Sequence, residues 1–340
     1  MLIPNELEKN FIYSLIFNDS EKFEEIISNN RINFERIVSI ISSNRIEHFV
    51  LNKLKSSSRF SKLPKFFSEQ LEKNYLKKSI PTLKIIEKIF LLSNKLQEFN
   101  LEHVFLKGIA LHDQNKIYMR PMRDIDILVH PEDLTLIVKL AESLGFKFKN
   151  KSNESIENFI NNSSFYDLPL MTDDNGVFLE IHFRITTKSD NCSLKDYIFE
   201  SKRLIKSHGN DIYVPCPNSL FAHLVYHGSQ KGSFNVGLIA LVDLVHLFDE
   251  VDKNEVLKIS ELLEMRKISE FFFELAEFSK NKETILSKDA EKLKEVLIFP
   301  PVNSKITEIL TQESLSKMLV KFKDTLFVSK THLQREFEIR

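Results

Sequence analysis

Along the chain the spacing of apolar side chains changes twice. Up to about residue 80, apolar positions recur every three or four residues, with breaks such as Ser28-Asn29-Asn30 and Ser56-Ser57-Ser58. That is the mark of amphipathic helices joined by polar turns. From Thr82 the period continues through Leu83, Ile86, Ile89, Phe90, Leu92 and Leu96 and predicts a helix stopping near Asn100. The period then shortens to two. Val104-Phe105-Leu106 is a short apolar run ending in Lys107-Gly108, and Arg123 to Val129 alternates over most of its length. A helix is predicted from Glu132 to about Leu144, closed by Gly145 as its C-cap, and Val177 to Ile185 alternates again. Lys151 to Asn162 reads as a polar loop or short helix. After Pro217 the helical period returns and persists to the C-terminus, interrupted at Pro300-Pro301. The expected organisation is an α/β centre over 85–215, a helical region over 1–84 and a second helical region over 216–340.

Composition narrows this picture. The 340 residues suggest two domains or a little more, and 42% hydrophobic with 28% charged residues is an ordinary globular mix. Seven glycines are few, which favours helices and polar loops over a hairpin-rich fold. The 29 phenylalanines, with no tryptophan, supply much of the core. Two cysteines, Cys192 and Cys216, exclude a disulfide scaffold or cysteine zinc ribbon and point to a reduced compartment. The start of the chain, with Glu6, Glu8 and Lys9, lacks the apolar core of an export signal. The most apolar stretch, Val236 to Phe248, is shorter than the roughly 20 residues of a bilayer span and carries Asp243 and His246. A cytoplasmic protein with no membrane partner is expected, and a net charge of −1 gives no global pull on nucleic acid.

The chemistry concentrates in Arg120 to Val129. In a strand, Ile125, Ile127 and Val129 share one face, and Asp124 and Asp126 share the other. Adjacent carboxylates repel unless a positive group lies between them, and Mg²⁺ suits carboxylate and phosphate oxygens. The second alternating run repeats the design: Val177, Leu179, Ile181, Phe183 and Ile185 on one face, Phe178, Glu180, His182 and Arg184 on the other. If the two strands are neighbours, Glu180 stands beside Asp124 and Asp126. Three carboxylates can hold two cations about 3.5–4 Å apart; two Mg²⁺ ions are expected, with Mn²⁺ as a substitute. Arg120 and Arg123 suit bidentate phosphate contacts; they can equally pair with the aspartates on the surface.

The run Phe105-Leu106-Lys107-Gly108-Ile109-Ala110-Leu111, then Tyr118, Arg120 and Asp124-Ile125-Asp126-Ile127-Leu128-Val129, resembles a bacterial nucleotidyltransferase family with an L-K-G…R…D-I-D-L-L-V signature. That family lies within the DNA polymerase β-like superfamily. Leu179-Glu180-Ile181-His182 is similar to its following acidic–x–His segment, and Leu241-Val242-Asp243-Leu244 to its downstream apolar helix. The resemblance implies a minimal α/β (α+β) nucleotidyltransferase palm with a small mixed sheet between helical regions. It implies a Mg²⁺ site on Asp124, Asp126 and Glu180, and transfer of a nucleoside monophosphate from NTP to an acceptor that the sequence does not identify. Lys107, Gly108, Arg120, Arg123 and His182 would then serve the nucleotide phosphates. Lys107-Gly108 stands where the wider superfamily has Gly-Ser, and Glu180 where it usually has Asp.

Other readings stay open on the residues. A non-catalytic nucleotide-binding protein on the same fold is one; a toxin-like enzyme modifying tRNA is another. The latter rests on Lys53 to Lys78, where eight basic and two acidic residues interleave with Phe60, Phe66, Phe67 and Tyr75. Lys317 to Arg340 is a milder basic run. His223 and His227 have a zinc-compatible i, i+4 spacing but no glutamate of a metalloprotease helix. No P-loop, G-x-G-x-x-G or G-x-S-x-G is present.

Overall fold

Short polar side chains start the first three helices. Asn5, Asp19 and Asn33 each accept a hydrogen bond from the backbone N–H three residues on, satisfying a donor that a helix start leaves orphaned. They open α1 (Glu6–Ile16), α2 (Ser20–Ile27) and α3 (Phe34–Ser43). The computed structural model describes residues 4–29, 31–57, 59–112, 120–149, 155–186, 192–207, 209–231, 237–281 and 283–298. Tyr118, Val236, Pro300-Pro301 and the basic run from Lys317 lie outside the described residues. The chain continues with α4 (Glu47–Lys55), α5 (Lys65–Glu98), β1 (His103–Phe105), β2 (Asp124–Val129), α6 (Leu134–Ser143), β3 (Lys147–Phe148), α7 (Ile156–Asn161), β4 (Met171–Thr172) and β5 (Phe178–His182). It ends with α8 (Cys192–Ser201), β6 (Arg203–Ser207), β7 (Asn210–Val214), α9 (Pro217–Tyr226), α10 (Leu238–Leu247), α11 (Lys253–Leu262), α12 (Arg266–Lys280) and α13 (Lys288–Leu297). No helix among the described residues is long and apolar enough to cross a membrane.

The chain divides into two compact units. One takes Met1–Arg45, Leu224–Asp249 and Met265–Arg340; the other takes Ile46–His223 and Glu250–Glu264. The first is helical among its described residues. Phe11 packs on Phe23 at 5.4 Å and edge-on to Phe34 at 6.1 Å, and Phe17 meets Phe278 edge-on at 5.1 Å. Asn44, fully buried after α3, accepts from the Leu238 N–H at 2.9 Å and so caps the start of α10. Gly237 beside it has φ +71°, and a Cβ there would lie 2.5 Å from the Asn44 Oδ1. Only glycine fits.

The second unit holds a five-stranded sheet in the order β1-β2-β5-β4-β3. β2 and β5 run parallel; the other pairs are antiparallel. The architecture is mixed α/β with a small mixed sheet, as the sequence predicts. Ile125, Ile127 and Val129 of β2, and Val177, Leu179, Ile181, Phe183 and Ile185 around β5, are all buried. The β5 ladder is shorter than the alternating run: after His182, both Phe183 and Arg184 donate to the Tyr166 carbonyl instead.

Two local features differ from expectation. The helix read from Thr82 begins at Lys65 and runs on through Pro81. A proline costs a helix interior about 3 kcal/mol. Here buried Phe67 and Leu71 before it, and Ile85, Ile86 and Ile89 after it, hold both halves to one core. The hydroxyls of Ser79 and Thr82 bond back to the carbonyls of Tyr75 and Lys78. The hairpin β6–β7 is a second addition to the elements that the sequence predicts. Its register from Arg203↔Val214 to Ser207↔Asn210 leaves a tight loop with Gly209 at φ +83°.

Candidate active site

The acidic face is built by the parallel pairing of β2 and β5. Asp126 stands directly opposite Glu180, Asp124 opposite Phe178, and Leu128 opposite His182. Strand alternation turns Asp124, Asp126, Glu180 and His182 to one side while their apolar neighbours enter the core. The neighbour relation on which the sequence reading depends is therefore present. Asp126 is 3% exposed, while the side chain of Glu180 retains 27% exposure.

Lys107 comes to this face from the end of β1. The Leu106 N–H still donates to the Asp126 carbonyl at 2.9 Å, so the chain remains laddered up to this residue. Lys107 then takes φ +53°, and a 3₁₀ turn runs on to Leu111. A left-handed backbone costs a non-glycine residue about 1–2 kcal/mol. The turn places the Lys107 ammonium, itself buried, against Asp126 and 3.7 Å from the Glu180 Oε2. Gly108 serves packing: a Cβ there would lie 2.8 Å from the Met122 Cγ and 3.0 Å from an Arg120 guanidinium nitrogen.

His182 completes the cluster. Its Nε2 lies 3.0 Å from the Asp126 Oδ1 and 3.4 Å from the Glu180 Oε2, with Nδ1 3.9 Å from Asp167. The Tyr166 ring stacks parallel to the imidazole, centroids 5.9 Å apart. Burial alone would raise the Asp126 pKa, but the Lys107 charge and the His182 hydrogen bond hold it well below the usual carboxylate range. Burial would lower His182, and its bonds to Asp126 and Glu180 raise it instead. Burial would also lower Lys107, yet Asp126, Glu180 and Asp124 push it up. Asp124 is different: burial and the neighbouring Asp126 charge raise it above the usual value, against the pull of Lys107 and Arg120.

Asp126, Glu180 and His182 offer one ligand atom each, all within 4.8 Å of one another. Carboxylate and imidazole donors at this spacing fit a divalent cation. On the sequence His182 can orient phosphate or acceptor or, equally, support the carboxylates; its direct approach to Asp126 is a diagonal across the strand pair that alternation alone does not reveal.

The other expected residues fall into two groups. Arg120 is half-buried beside Gly108, and Arg123 is exposed at the mouth of β2. His223 is buried in α9, His227 opens the π-helical turn after it, and Asp243 is buried in α10. In the Lys53–Lys78 segment, Lys55 pairs with Glu72 at 2.6 Å and Lys78 with buried Glu47 at 2.5 Å. Two positioning contacts went unread in the sequence. The Thr82 hydroxyl accepts from the Met122 N–H at 3.2 Å, and the His112 ring lies 2.9 Å from the Arg120 carbonyl. Together they hold the segment that enters β2 at Asp124.

No curated protein matches the chain at a significant level. Among solved structures, ANT(2″)-Ia in complex with adenylyl-2″-tobramycin aligns at 11% identity and a TM-score of 0.41, over 55% of this chain and 99% of its own. A nucleotidyltransferase-like antigenic protein from Paracoccidioides brasiliensis aligns at 12% identity and a TM-score of 0.36, over 61% of this chain and 95% of its own. The model of a family described as uncharacterised nucleotidyltransferase matches residues 30–278. With its acidic strand pair inside that match and most of its length covered, the chain belongs to this family of nucleotidyltransferase enzymes.

Proposed function

We propose that the protein transfers a nucleoside monophosphate from a nucleoside triphosphate to a hydroxyl of an acceptor, in a Mg²⁺-dependent reaction. The observation that supports this most is the side-by-side placement of Asp126 and Glu180, with Asp124 two residues away on the same face. Asp124, Asp126 and Glu180 would hold the divalent ion, which supplies charge neutralisation for the triphosphate when bound. In the reaction an acceptor oxygen forms a bond to the α-phosphorus, the α–β bridging P–O bond breaks and pyrophosphate leaves. Positioning and electrostatics dominate such transfers. Glu180, the more exposed of the opposed carboxylates, takes the acceptor proton. Arg120 and Arg123 contact the phosphates. His182 keeps Asp126 oriented. The acceptor is chosen outside the sheet, by the helical parts of the chain.

The test is incubation with labelled NTPs, Mg²⁺ and a panel of small-molecule, protein and RNA acceptors. Label transfer that disappears in Asp124→Ala and Asp126→Ala supports the reading. Transfer that survives both changes refutes it.

A further inference from the structure

We infer that the outer face of α5 is a docking site for a partner protein. Its occupant is an acidic amphipathic segment that lays apolar side chains on Leu76, Ile80 and Leu83 and its carboxylates against Lys73, Lys77 and Lys84.

Over this stretch α5 has two unlike sides. Ser79, Thr82, Ile85 and Ile86 are buried, and the helix packs on α4, α6, β2 and β7. Leu76, Ile80 and Leu83 stand on the other side, 60%, 60% and 46% exposed. They follow one another at four and three residues, the spacing that stacks side chains on one helix face. Leu91, also exposed, continues the line beyond Glu87. From Leu76 to Leu91 the line covers about 22 Å of helix. A contiguous exposed apolar surface of this kind marks an interaction site.

Charge selects the occupant. From Lys73 to Ile86 the helix carries four lysines and no acid. Lys78 pairs with buried Glu47. Lys73, Lys77 and Lys84 are exposed and make no ion pair among the described residues. Spaced four and seven residues apart, they line one flank of the apolar stripe. Two copies packed antiparallel about Ile80 would set Lys77 of each against Lys84 of the other, and like charges juxtaposed at an interface oppose it. The chain's own basic run from Lys317 has the same sign. Single-stranded nucleic acid is held by aromatic rings on which bases stack; the one aromatic of this stretch is Tyr75, and its ring packs on His48. A helix on a lipid surface sinks its apolar face below the headgroups, which would carry Glu87 down between Leu83 and Leu91. An amphipathic protein segment with Asp or Glu beside its apolar anchors meets both the stripe and its charged flank.

The probe is a fluorescein-labelled peptide of about 18 residues, about five helical turns, with leucines at helical spacing flanked by glutamates. It is titrated with the full chain and followed by fluorescence anisotropy, beside a counterpart with lysine in place of every glutamate. The glutamate peptide is expected to bind the wild type about tenfold more tightly than the lysine peptide. Leu76→Ser with Ile80→Ser should weaken it about tenfold, with the circular dichroism spectrum unchanged because both side chains stand in solvent. Lys73→Glu, Lys77→Glu and Lys84→Glu together should reverse the preference, so that the lysine peptide binds the tighter. Equal binding of the two peptides to the wild type, or a preference that the lysine exchange leaves as it was, overturns the assignment. So does binding of unfractionated tRNA, of phosphatidylserine vesicles or of a second copy of the chain that is lost in the double serine variant while the glutamate peptide does not bind.

Discussion

Each of the two units buries a carboxylate, and the two are treated in opposite ways. Glu8 in α1 is fully buried. Its Oε2 accepts from the Asn5 N–H at 2.9 Å, closing a capping box, and the Arg36 guanidinium reaches both oxygens, at 2.6 and 3.2 Å. One acid meets one base and its own helix start, and the arrangement is complete. Asp126 is nearly as buried, but it shares Lys107 and His182 with Glu180 and sits beside Asp124. Three acids there share Lys107 and His182, and burial with the neighbouring acids raises the Asp124 pKa against the pull of Lys107 and Arg120. A buried acid matched by its own partners holds structure together; acids that share their basic partners on one sheet face are the ones read here as the ligand site.

The sharpest way to break this comparison is to remove one acid from each site. Asp126→Asn keeps the shape and takes away the charge. Nucleotidyl transfer should fall by about 10²–10³-fold, the scale of losing one charge-stabilising group in an active site, with the circular dichroism spectrum unchanged. Glu8→Ala should do the reverse. Removing it takes away the capping-box acceptor of the Asn5 N–H and the partner of the part-exposed Arg36 guanidinium, seen as an earlier denaturant midpoint. Transfer per folded molecule should stay at the wild-type level. If Glu8→Ala loses activity while folded, or Asp126→Asn unfolds without a specific loss, the distinction fails.

A third buried group sharpens it through pH. His48 is fully buried, bonded to the Ser79 hydroxyl at 3.0 Å and packed 4.4 Å from the Tyr75 ring. Burial, with the charges of Lys78 and His112, lowers its pKa to about 4. The unfolded chain, titrating near 6.5, takes up the proton first. Stability is therefore lost as pH falls from about 6.5 to about 4, by about 3 kcal/mol in total. Denaturant midpoints at several pH values should show a shallower acid slope in His48→Gln than in the wild type. Equal slopes would mean His48 does not fold as a neutral ring.

Much of this was legible before any coordinates. Ile125, Ile127 and Val129 against Asp124 and Asp126 set the faces of β2, and the same alternation in Leu179-Glu180-Ile181-His182 sets β5. What alternation cannot supply is register. Only the parallel pairing puts Glu180 opposite Asp126 rather than opposite Asp124. Backbone conformation is equally invisible: Lys107-Gly108 reads as a glycine turn, whereas the positive φ falls on the lysine. The start of α5 was missed because Pro81 is a strong local breaker, overridden here by burial on both sides of it. The β6–β7 strands escape a sequence reading because each turns only two residues inward, Ile205 and Ser207 in β6 and Ile212 and Val214 in β7, too short a signal to separate from a loop.

The smallest expected effect concerns how the acidic face is held in place. Thr82 lies on α5, and its hydroxyl bonds both the Lys78 carbonyl and the Met122 N–H. Met122 is buried and two residues from Asp124. Thr82→Val keeps the shape of the side chain but leaves that N–H unpaired, which costs about 1–3 kcal/mol for a buried group. Because the freed segment leads straight into β2, kcat should fall severalfold while the Mn²⁺ count at the site stays the same. Thr82→Ser, which retains the hydroxyl, should restore the rate. A Val variant that is destabilised but fully active, or a Ser variant no better than Val, would confine Thr82 to the packing of α5 and leave Asp124 positioned by the sheet alone.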